Sequence, residues 1–101
     1  FAFNVKAILK SEFWGVYNVV CEGVTDRLEV ARELVKILKL ERKVTITPVG
    51  SDFWKEKYFA PRPPSERLIN KKLSLRGLSL MRDWRLCLQE YIEQCYQGYL
   101  E

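Results

Sequence analysis

Apolar side chains recur at helical spacing in three separate stretches of the chain. In the first stretch, Val5, Ile8 and Leu9 share a face with Phe1, which predicts a helix over residues 2–10. No capping residue precedes this helix, as we expect if the domain is cut in its middle at Phe1. The second stretch predicts a helix over residues 26–40. Its apolar face consists of Leu28, Ala31, Leu34, Val35 and Leu38.

Two of these helices have further features that support the prediction. Asp26 is a suitable N-cap for the second helix, and Glu29 follows three residues later, which completes a capping-box pattern. The third stretch predicts a helix over residues 83–97. Its apolar face consists of Trp84, Leu88, Tyr91, Ile92 and Cys95. A shorter element is expected over residues 68–76, where Gly77 would end it.

Two stretches have the pattern of strands instead. Residues 15–20 are β-branched and aromatic and apolar on nearly both faces, and residues 43–48 alternate before Pro48. With the helix over 26–40 between them, they predict a right-handed βαβ unit. We therefore expect an α/β fold, or α+β if the strands do not pair in parallel, in a single domain over residues 1–101. Unpaired strand edges could support a homo-oligomer.

The residue types exclude several kinds of chemistry. The 101 residues contain no histidine, which removes histidine-based acid–base catalysis and most transition-metal sites. The three cysteines, Cys21, Cys87 and Cys95, have no C-x-x-C spacing, so we expect reduced thiols and neither a disulfide framework nor a zinc site. No apolar run approaches the roughly 20 residues of a membrane span, and no signal peptide is evident. We expect a cytoplasmic protein that contacts no membrane.

Positive charge is concentrated in the middle of the chain. The formal net charge is +4, but residues 55–85 carry nine Lys or Arg against three acids. Such a stretch favours an anionic partner, either a phosphorylated small molecule or nucleic acid. Lys and Arg at helical spacing are also typical of a solvated helix face, and that interpretation applies to Arg67, Lys71, Lys72 and Arg76.

A basic and aromatic stretch over residues 53–67 is the most suggestive candidate site. Arg62 lies between two prolines, and a guanidinium on a stiff, extended segment loses little entropy when it grips a diphosphate. Phe53, Trp54, Tyr58 or Phe59 could stack on a base or a sugar. Alternatively, these aromatic residues form core and Arg62 pairs with a surface acid.

Several catalytic and cofactor motifs do not occur anywhere in the sequence. There is no G-x-G-x-x-G loop for a dinucleotide and no G-x-x-x-x-G-K loop for a nucleotide phosphate. No tyrosine is followed by lysine four residues later, a spacing at which the cation would lower the tyrosine pKa. The chain therefore has no recognisable catalytic set, and we expect it to bind no cofactor by itself.

Three segments in order resemble the C-terminal part of dTDP-4-dehydrorhamnose reductases, which are extended short-chain dehydrogenase/reductases. The first runs from Gly15-Val16-Tyr17-Asn18-Val19-Val20 through Glu22-Gly23 to the helix that begins at Asp26. The second is Ala60-Pro61-Arg62-Pro63, followed by Leu68, Lys72 and Leu73. The third, Met81 to Leu88, is similar to the family's Arg-Pro-Trp-Arg-x-x-Leu helix, with Asp83 in place of the usual proline.

The resemblance implies the substrate side of an NAD(P)-dependent sugar-nucleotide reductase of rhamnose biosynthesis. A nucleotide-diphosphate sugar would be the ligand, with Arg62, Phe59, Lys55 and Arg67 as its binding residues. The family's N-terminal Rossmann domain and its Tyr-x-x-x-Lys set have no counterpart here. NAD(P)H is therefore expected to bind elsewhere in a full-length parent, and this chain would be inactive alone.

Two other functions stay open from the sequence. The same superfamily includes regulatory members that bind partners and reduce no sugar, such as the regulatory β subunit of methionine adenosyltransferase. A standalone basic module that binds nucleic acid is the other alternative, although we favour it less as a partner class.

Overall fold

The structure, a computed structural model, describes residues 1–57, 60 and 63–96, together with all their side chains except that of Lys55. Four α-helices lie in this part of the chain, with one 3₁₀ helix between the second and the third. They are α1 (Ala2–Ser11), α2 (Arg27–Ile37), the 3₁₀ helix (Ser51–Lys57), α3 (Lys71–Leu75) and α4 (Trp84–Cys95). None of these helices is long and apolar enough to cross a membrane.

The chain divides into two compact units. Unit 1 consists of Phe1–Val24 together with the chain from Leu68 onward, and unit 2 consists of Thr25–Arg67. Unit 1 contains α1, α3 and α4, whereas unit 2 contains α2 and the 3₁₀ helix. The single domain expected over residues 1–101 stays a prediction.

The three predicted helices are confirmed as α1, α2 and α4. α1 begins without a side-chain cap, whereas Asp26 caps α2 by accepting a hydrogen bond from the Glu29 N–H at 2.8 Å. α2 ends at Ile37, three residues before the predicted end, because Lys39 adopts a left-handed conformation with φ 55°. α4 ends at Cys95, and residue 97 of the predicted helix lies outside the described residues.

The prediction of strands over residues 15–20 and 43–48 is wrong. Neither segment forms a β-ladder, and the described residues contain no strand, so the α/β fold is not confirmed. The physical reason is that a strand needs a neighbouring strand to take up its backbone groups, and neither segment has one. Among the described residues there is only an isolated parallel bridge between Glu22 and Asp83. What the structure describes is a small, mostly helical chain.

The apolar core of unit 1 is small. Leu73 is fully buried, and Trp84 and Ile92 expose 8% and 9% of their surface. Four side chains expected on apolar helix faces are instead exposed: Phe1 and Leu9 on the face of α1, and Tyr91 and Cys95 on that of α4. Helical spacing identified the faces, but the short elements around them cover only part of each face.

Two asparagines are the buried polar residues of unit 1, and each braces a segment of backbone. Asn4 in α1 donates through Nδ2 to the Leu78 carbonyl at 3.1 Å and accepts from the Leu80 N–H at 2.8 Å. Asn70 accepts from the Val20 N–H at 2.9 Å and donates to the Val20 carbonyl at 2.7 Å. Each side-chain amide therefore pairs with a backbone N–H and a backbone carbonyl of one segment, as the backbone of a neighbouring strand would. Such pairing is needed because unpaired backbone groups are costly to bury.

The same brace continues to the start of α4. Asn70 also donates to Glu22 Oε1 at 2.8 Å. The Glu22 N–H donates to the Arg82 carbonyl at 2.9 Å, and the Trp84 N–H donates to the Glu22 carbonyl at 3.1 Å. These bonds fix residues 20–22 between the residue before α3 and the beginning of α4.

Unit 2 has no buried residue among those described. The apolar face predicted for α2 is half-buried along its length. Phe53 and Trp54 in the 3₁₀ helix pack edge to face with ring centroids 4.8 Å apart, yet they expose 63% and 42% of their surface. For these two residues the interpretation as core is wrong.

Candidate functional site

Of the four residues predicted to bind substrate, only Arg67 is fully described by the structure. Arg62 and Phe59 lie outside the described residues, as do Tyr58 and the side chain of Lys55. Arg67 is exposed, and its N–H donates to Ser65 Oγ at 3.4 Å. The site formed by Lys55, Phe59, Arg62 and Arg67 therefore stays a prediction.

The described side chains of the 3₁₀ helix form an aromatic and charged surface, in which Asp52, Glu56 and Lys57 are the charged residues. The Lys57 ammonium lies 4.6 Å from the centroid of the Trp54 ring, a cation–π contact. An open depression of about 470 Å³ lies here. It is lined by Asp52, Phe53, Trp54, Glu56 and Lys57. The described part of unit 2 thus offers an exposed indole to a ligand, with charges of both signs around it.

A second basic and aromatic group lies in unit 1, and we call it the Tyr17 cluster. Its members are Phe13, Tyr17, Lys72 and Arg76. Lys72 belongs to α3, and Arg76 is the residue that follows the helix, one turn later. A short α3 can hold both side chains towards one region because residues four apart lie on the same side of a helix.

Arg76 is oriented by groups from the segment after α1. Its Nη1 donates to the Phe13 carbonyl at 3.3 Å and to the Tyr17 hydroxyl. The hydroxyl in turn donates to the Phe13 carbonyl at 2.5 Å. The guanidinium carbon lies 5.1 Å from the centroid of the Phe13 ring and 5.6 Å from that of Tyr17. Hydrogen bonds and ring contacts together restrict the orientation of this guanidinium.

Lys72 brings a second cation to the same ring. Its Nζ lies 5.0 Å from the centroid of the Tyr17 ring. Gly15, with φ +143°, leaves room for this ammonium, since a Cβ at that position would lie 2.7 Å from Lys72 Nζ. The flexible end of Lys72 could move away from such a Cβ, so the positive φ is the stronger reason for glycine at this position.

An open depression of about 480 Å³ adjoins the cluster at Lys72. It is lined by Val16, Asn18, Ile69, Lys71, Lys72 and Leu75. Val16, Ile69 and Leu75 are strongly exposed for apolar residues, at 86%, 66% and 78% of their surface. Cations and uncovered apolar side chains thus share one concave surface of unit 1.

Two other cations of unit 1, Arg82 and Arg85, are paired with carboxylates, whereas Lys6, Lys10 and Lys71 have no ion pair in the described part of the chain. Arg82 lies 2.5 Å from Glu90, and the hydrogen bond between them raises the pKa of Arg82 above its ordinary value. Arg85 lies 3.9 Å from Asp83. Lys72 and Arg76 likewise have no ion pair with any carboxylate in the described part of the chain, but they differ from those lysines in lying near the same aromatic ring. The Tyr17 cluster therefore keeps its positive charge.

Sequence reasoning missed this cluster, although part of the signal was present. The i, i+4 spacing of Lys72 and Arg76 predicted a shared helix face, which was interpreted as solvated. Tyr17 was assigned to a strand, and nothing in its local pattern indicates contact with residues more than 50 positions away. Asn70 precedes α3 as an N-cap residue would, but its side chain makes no cap bond and braces Val20 instead.

The N-termini of α2 and α4 each have a carboxylate cap. A pyrophosphate usually binds to free N–H groups at a helix N-terminus that follows a glycine-rich loop. In this chain Asp26 caps α2, and Asp83 caps α4 by accepting from the Arg85 N–H at 2.9 Å. A carboxylate at each of these two termini opposes a second anion. That the chain binds no cofactor by itself stays a prediction. Asp83 also accounts for the departure from proline at that position, because aspartate is a strong N-cap.

Among the described residues, no group of cysteine, aspartate and glutamate residues is arranged to hold a metal ion. The same residues present cations, donor N–H groups and aromatic faces, which are common means of recognising an anion.

Comparison with known proteins gives one match. The family model described as the RmlD substrate binding domain matches residues 2–97. No curated protein matches the chain significantly, and neither does any solved structure. The family model extends over nearly the whole sequence, and the match agrees with the resemblance found in the order of motifs. The chain therefore belongs to the RmlD substrate binding domain family.

Proposed function

We propose that this chain binds a nucleoside diphosphate-sugar as the substrate side of an NAD(P)-dependent sugar-nucleotide reductase. The observation that carries the proposal is the family match over residues 2–97. The excess of positive charge over residues 55–85 supports it, because a diphosphate needs cations around it. Reduction of a 4-keto sugar for rhamnose biosynthesis in the cytoplasm is the specific reaction that we propose for the complete enzyme.

Arg62 is the first residue that we propose for contact with the diphosphate. It lies between Pro61 and Pro63, and prolines on both sides limit the conformations that binding would have to select. We propose Lys55 and Arg67 as further cations and Phe59 as a stacking surface for the base or the sugar.

A dinucleotide-binding domain would have to supply NAD(P)H and the catalytic groups. The chain contains neither the glycine-rich loop nor the Tyr-x-x-x-Lys set, and the α2 and α4 termini have carboxylate caps. In such an assembly the cofactor would deliver a hydride to the bound sugar. The residues of this chain would hold that sugar in place and exclude water from it.

The test is an isothermal calorimetric titration of the 101-residue chain with a dTDP-sugar. Arg62→Ala is expected to weaken binding about tenfold or more, since charge-assisted hydrogen bonds are the strong ones. Arg32→Ala, which removes one exposed arginine from α2, is the matched control and should bind as the parent chain does. Equal affinities for the parent and both variants would contradict the role of Arg62.

Two outcomes would replace the proposal with another function. Salt-sensitive binding of a DNA or RNA duplex, without binding of the sugar nucleotide, would favour the nucleic-acid module. An accompanying dinucleotide-binding domain without Tyr-x-x-x-Lys would favour a regulatory member of the superfamily. In either case, addition of NAD(P)H and a dTDP-4-keto sugar to the chain alone should give no reduction.

A further inference from the structure

We infer that unit 1 contains a phosphate-binding site of its own, formed by Lys72 and Arg76 of the Tyr17 cluster. The site uses none of the four residues proposed to bind the nucleotide-diphosphate sugar, Lys55, Phe59, Arg62 and Arg67. Its ligand class, a nucleoside diphosphate, rests on the proposed function, whereas the anion site itself rests on the geometry of the cluster. The ligand's phosphate would lie against the two cations and its nucleoside in the depression next to Lys72.

The first argument concerns the N–H groups of Arg76 that make no hydrogen bond to the described residues. Both of its described hydrogen bonds come from Nη1, to the Phe13 carbonyl and the Tyr17 hydroxyl. Its Nη2 and Nε have no partner among the described residues. These two N–H groups form one edge of the planar guanidinium, and such an edge matches two oxygens of a phosphate. Nη1 is thus used to orient the side chain, and the opposite edge is left to bind.

The second argument concerns charge. Lys72 and Arg76 lie 5.0 Å and 5.6 Å from the centroid of a single ring, that of Tyr17. Neither has a carboxylate partner in the described part of the chain, although unit 1 pairs Arg82 with Glu90. Two like charges near one ring repel each other. A bound dianion would be attracted to both cations and would offset that repulsion.

The third argument concerns the surface beside the cations. The adjoining depression of about 480 Å³ has the size of a small-molecule site. Val16, Ile69 and Leu75 line it with exposed apolar side chains. A free inorganic anion would leave these side chains in water, whereas a nucleoside attached to the phosphate would cover them. The combination therefore favours a nucleotide over a simple anion.

The test compares two double variants in titrations with deoxythymidine diphosphate. Lys72→Ala/Arg76→Ala is expected to weaken binding about tenfold or more, because it removes both anion ligands. Arg32→Ala/Lys36→Ala removes the same charge at the same i, i+4 spacing from exposed positions of α2, and its affinity should stay within about twofold. Equal weakening in both variants would overturn the inference, since it would indicate diffuse electrostatic attraction.

Two further measurements keep the result interpretable. Arg76→Lys keeps the charge and loses the planar fork, so it should fold and still weaken the binding of inorganic pyrophosphate several-fold, by about a factor of three to ten. Unchanged pyrophosphate affinity in this variant would count against the site. Deoxythymidine, which has no phosphate, should bind weakly and equally to the parent chain and to Lys72→Ala/Arg76→Ala.

The outcomes separate this inference from the proposed function. If Arg62→Ala weakens binding of the dTDP-sugar but Lys72→Ala/Arg76→Ala does not, the function stands and the inference falls. If pyrophosphate binds through Lys72 and Arg76 but no dTDP-sugar binds at all, the anion site stands and the proposed function falls.

Discussion

The two units of the chain differ in how their backbone is held. In unit 1, two buried asparagines pair with the backbone of neighbouring segments, and Leu73 is fully enclosed. In unit 2, no described residue is buried, and Phe53 and Trp54 pack mainly against each other. Local stability follows buried contacts and protected hydrogen bonds, so unit 1 should be the more stable of the two.

This difference bears on function because the two proposed anion sites belong to different units. The Tyr17 cluster belongs to unit 1, where hydrogen bonds orient Arg76 before a ligand arrives. Arg62 belongs to unit 2, and the sequence has a proline on each side of it.

The largest effect is expected at the core of unit 1. Leu73→Ala should lower the free energy of unfolding by about 2–5 kcal/mol, because it removes a fully enclosed side chain and leaves a cavity. Leu75→Ala in the same helix is the control, and its 78% exposure predicts a change within about 0.5 kcal/mol. Urea denaturation followed by tryptophan fluorescence measures both. Similar values for the two variants would mean that α3 does not pack as described.

The next effect concerns the asparagine brace. Asn70→Ala leaves the Val20 N–H and carbonyl without their amide partners, and each unsatisfied buried group costs about 1–3 kcal/mol. Asn18→Ala removes one exposed hydrogen bond of 3.3 Å and should cost much less. The free energies of unfolding of the two variants check this directly. A loss at Asn70 no larger than at Asn18 would show that residues 18–22 are held by something else.

A smaller effect is expected in unit 2. Asp26→Ala removes the N-cap of α2 and should cost about 1 kcal/mol, with faster amide hydrogen exchange in the first turn after Asp26. Asp52→Ala removes the same charge from an exposed position in the 3₁₀ helix and serves as the control. If both variants exchange alike, the cap contributes nothing beyond its charge.

The smallest effect is a dependence on alkaline pH at the end of α4. Tyr91 donates its hydroxyl hydrogen to Tyr96 at 3.1 Å, and this bond raises the pKa of Tyr91 above its ordinary value. A pKa that is higher in the folded state means stabilisation below the unfolded pKa, about 10, that is lost as pH rises through the folded pKa. The small difference in stability between the parent chain and Tyr91→Phe should therefore shrink above about pH 10. A difference that grows with pH would have the wrong sign.

The sequence predicted the three longer helices because their periodicity and capping residues are local properties. Asp26 and Glu29 are three residues apart, and the bond between them formed as expected. The structure of residues 15–20 could not be predicted from their composition, because β-branched residues favour a strand that this segment does not form. Whether such a segment pairs with a strand or with the amide of Asn70, 50 positions later, depends on tertiary contacts.

For the candidate site, the sequence suggested a class of ligand but did not indicate the Tyr17 cluster. The positive charge over residues 55–85 and the order of family motifs pointed to a nucleotide ligand, and the family is confirmed. The Tyr17 cluster was not predicted, since Phe13 and Arg76 are 63 positions apart and only the fold brings them together. Spacing on one helix indicates which cations are neighbours, but it does not indicate which aromatic ring lies beneath them.

The most direct test of the account is a nuclear magnetic resonance titration of the chain with a dTDP-sugar at low ionic strength. The account predicts saturable shifts in the amides around Arg62, which report on the proposed sugar-nucleotide contact. Saturable shifts in the amides of Lys72, Gly15 and Arg76 report separately on the inferred phosphate site of unit 1, with an affinity of its own. Deoxythymidine diphosphate should compete for the same sites. An absence of saturable shifts, or shifts that a DNA duplex reproduces and the sugar nucleotide does not, would contradict the assignment of this chain to sugar-nucleotide binding.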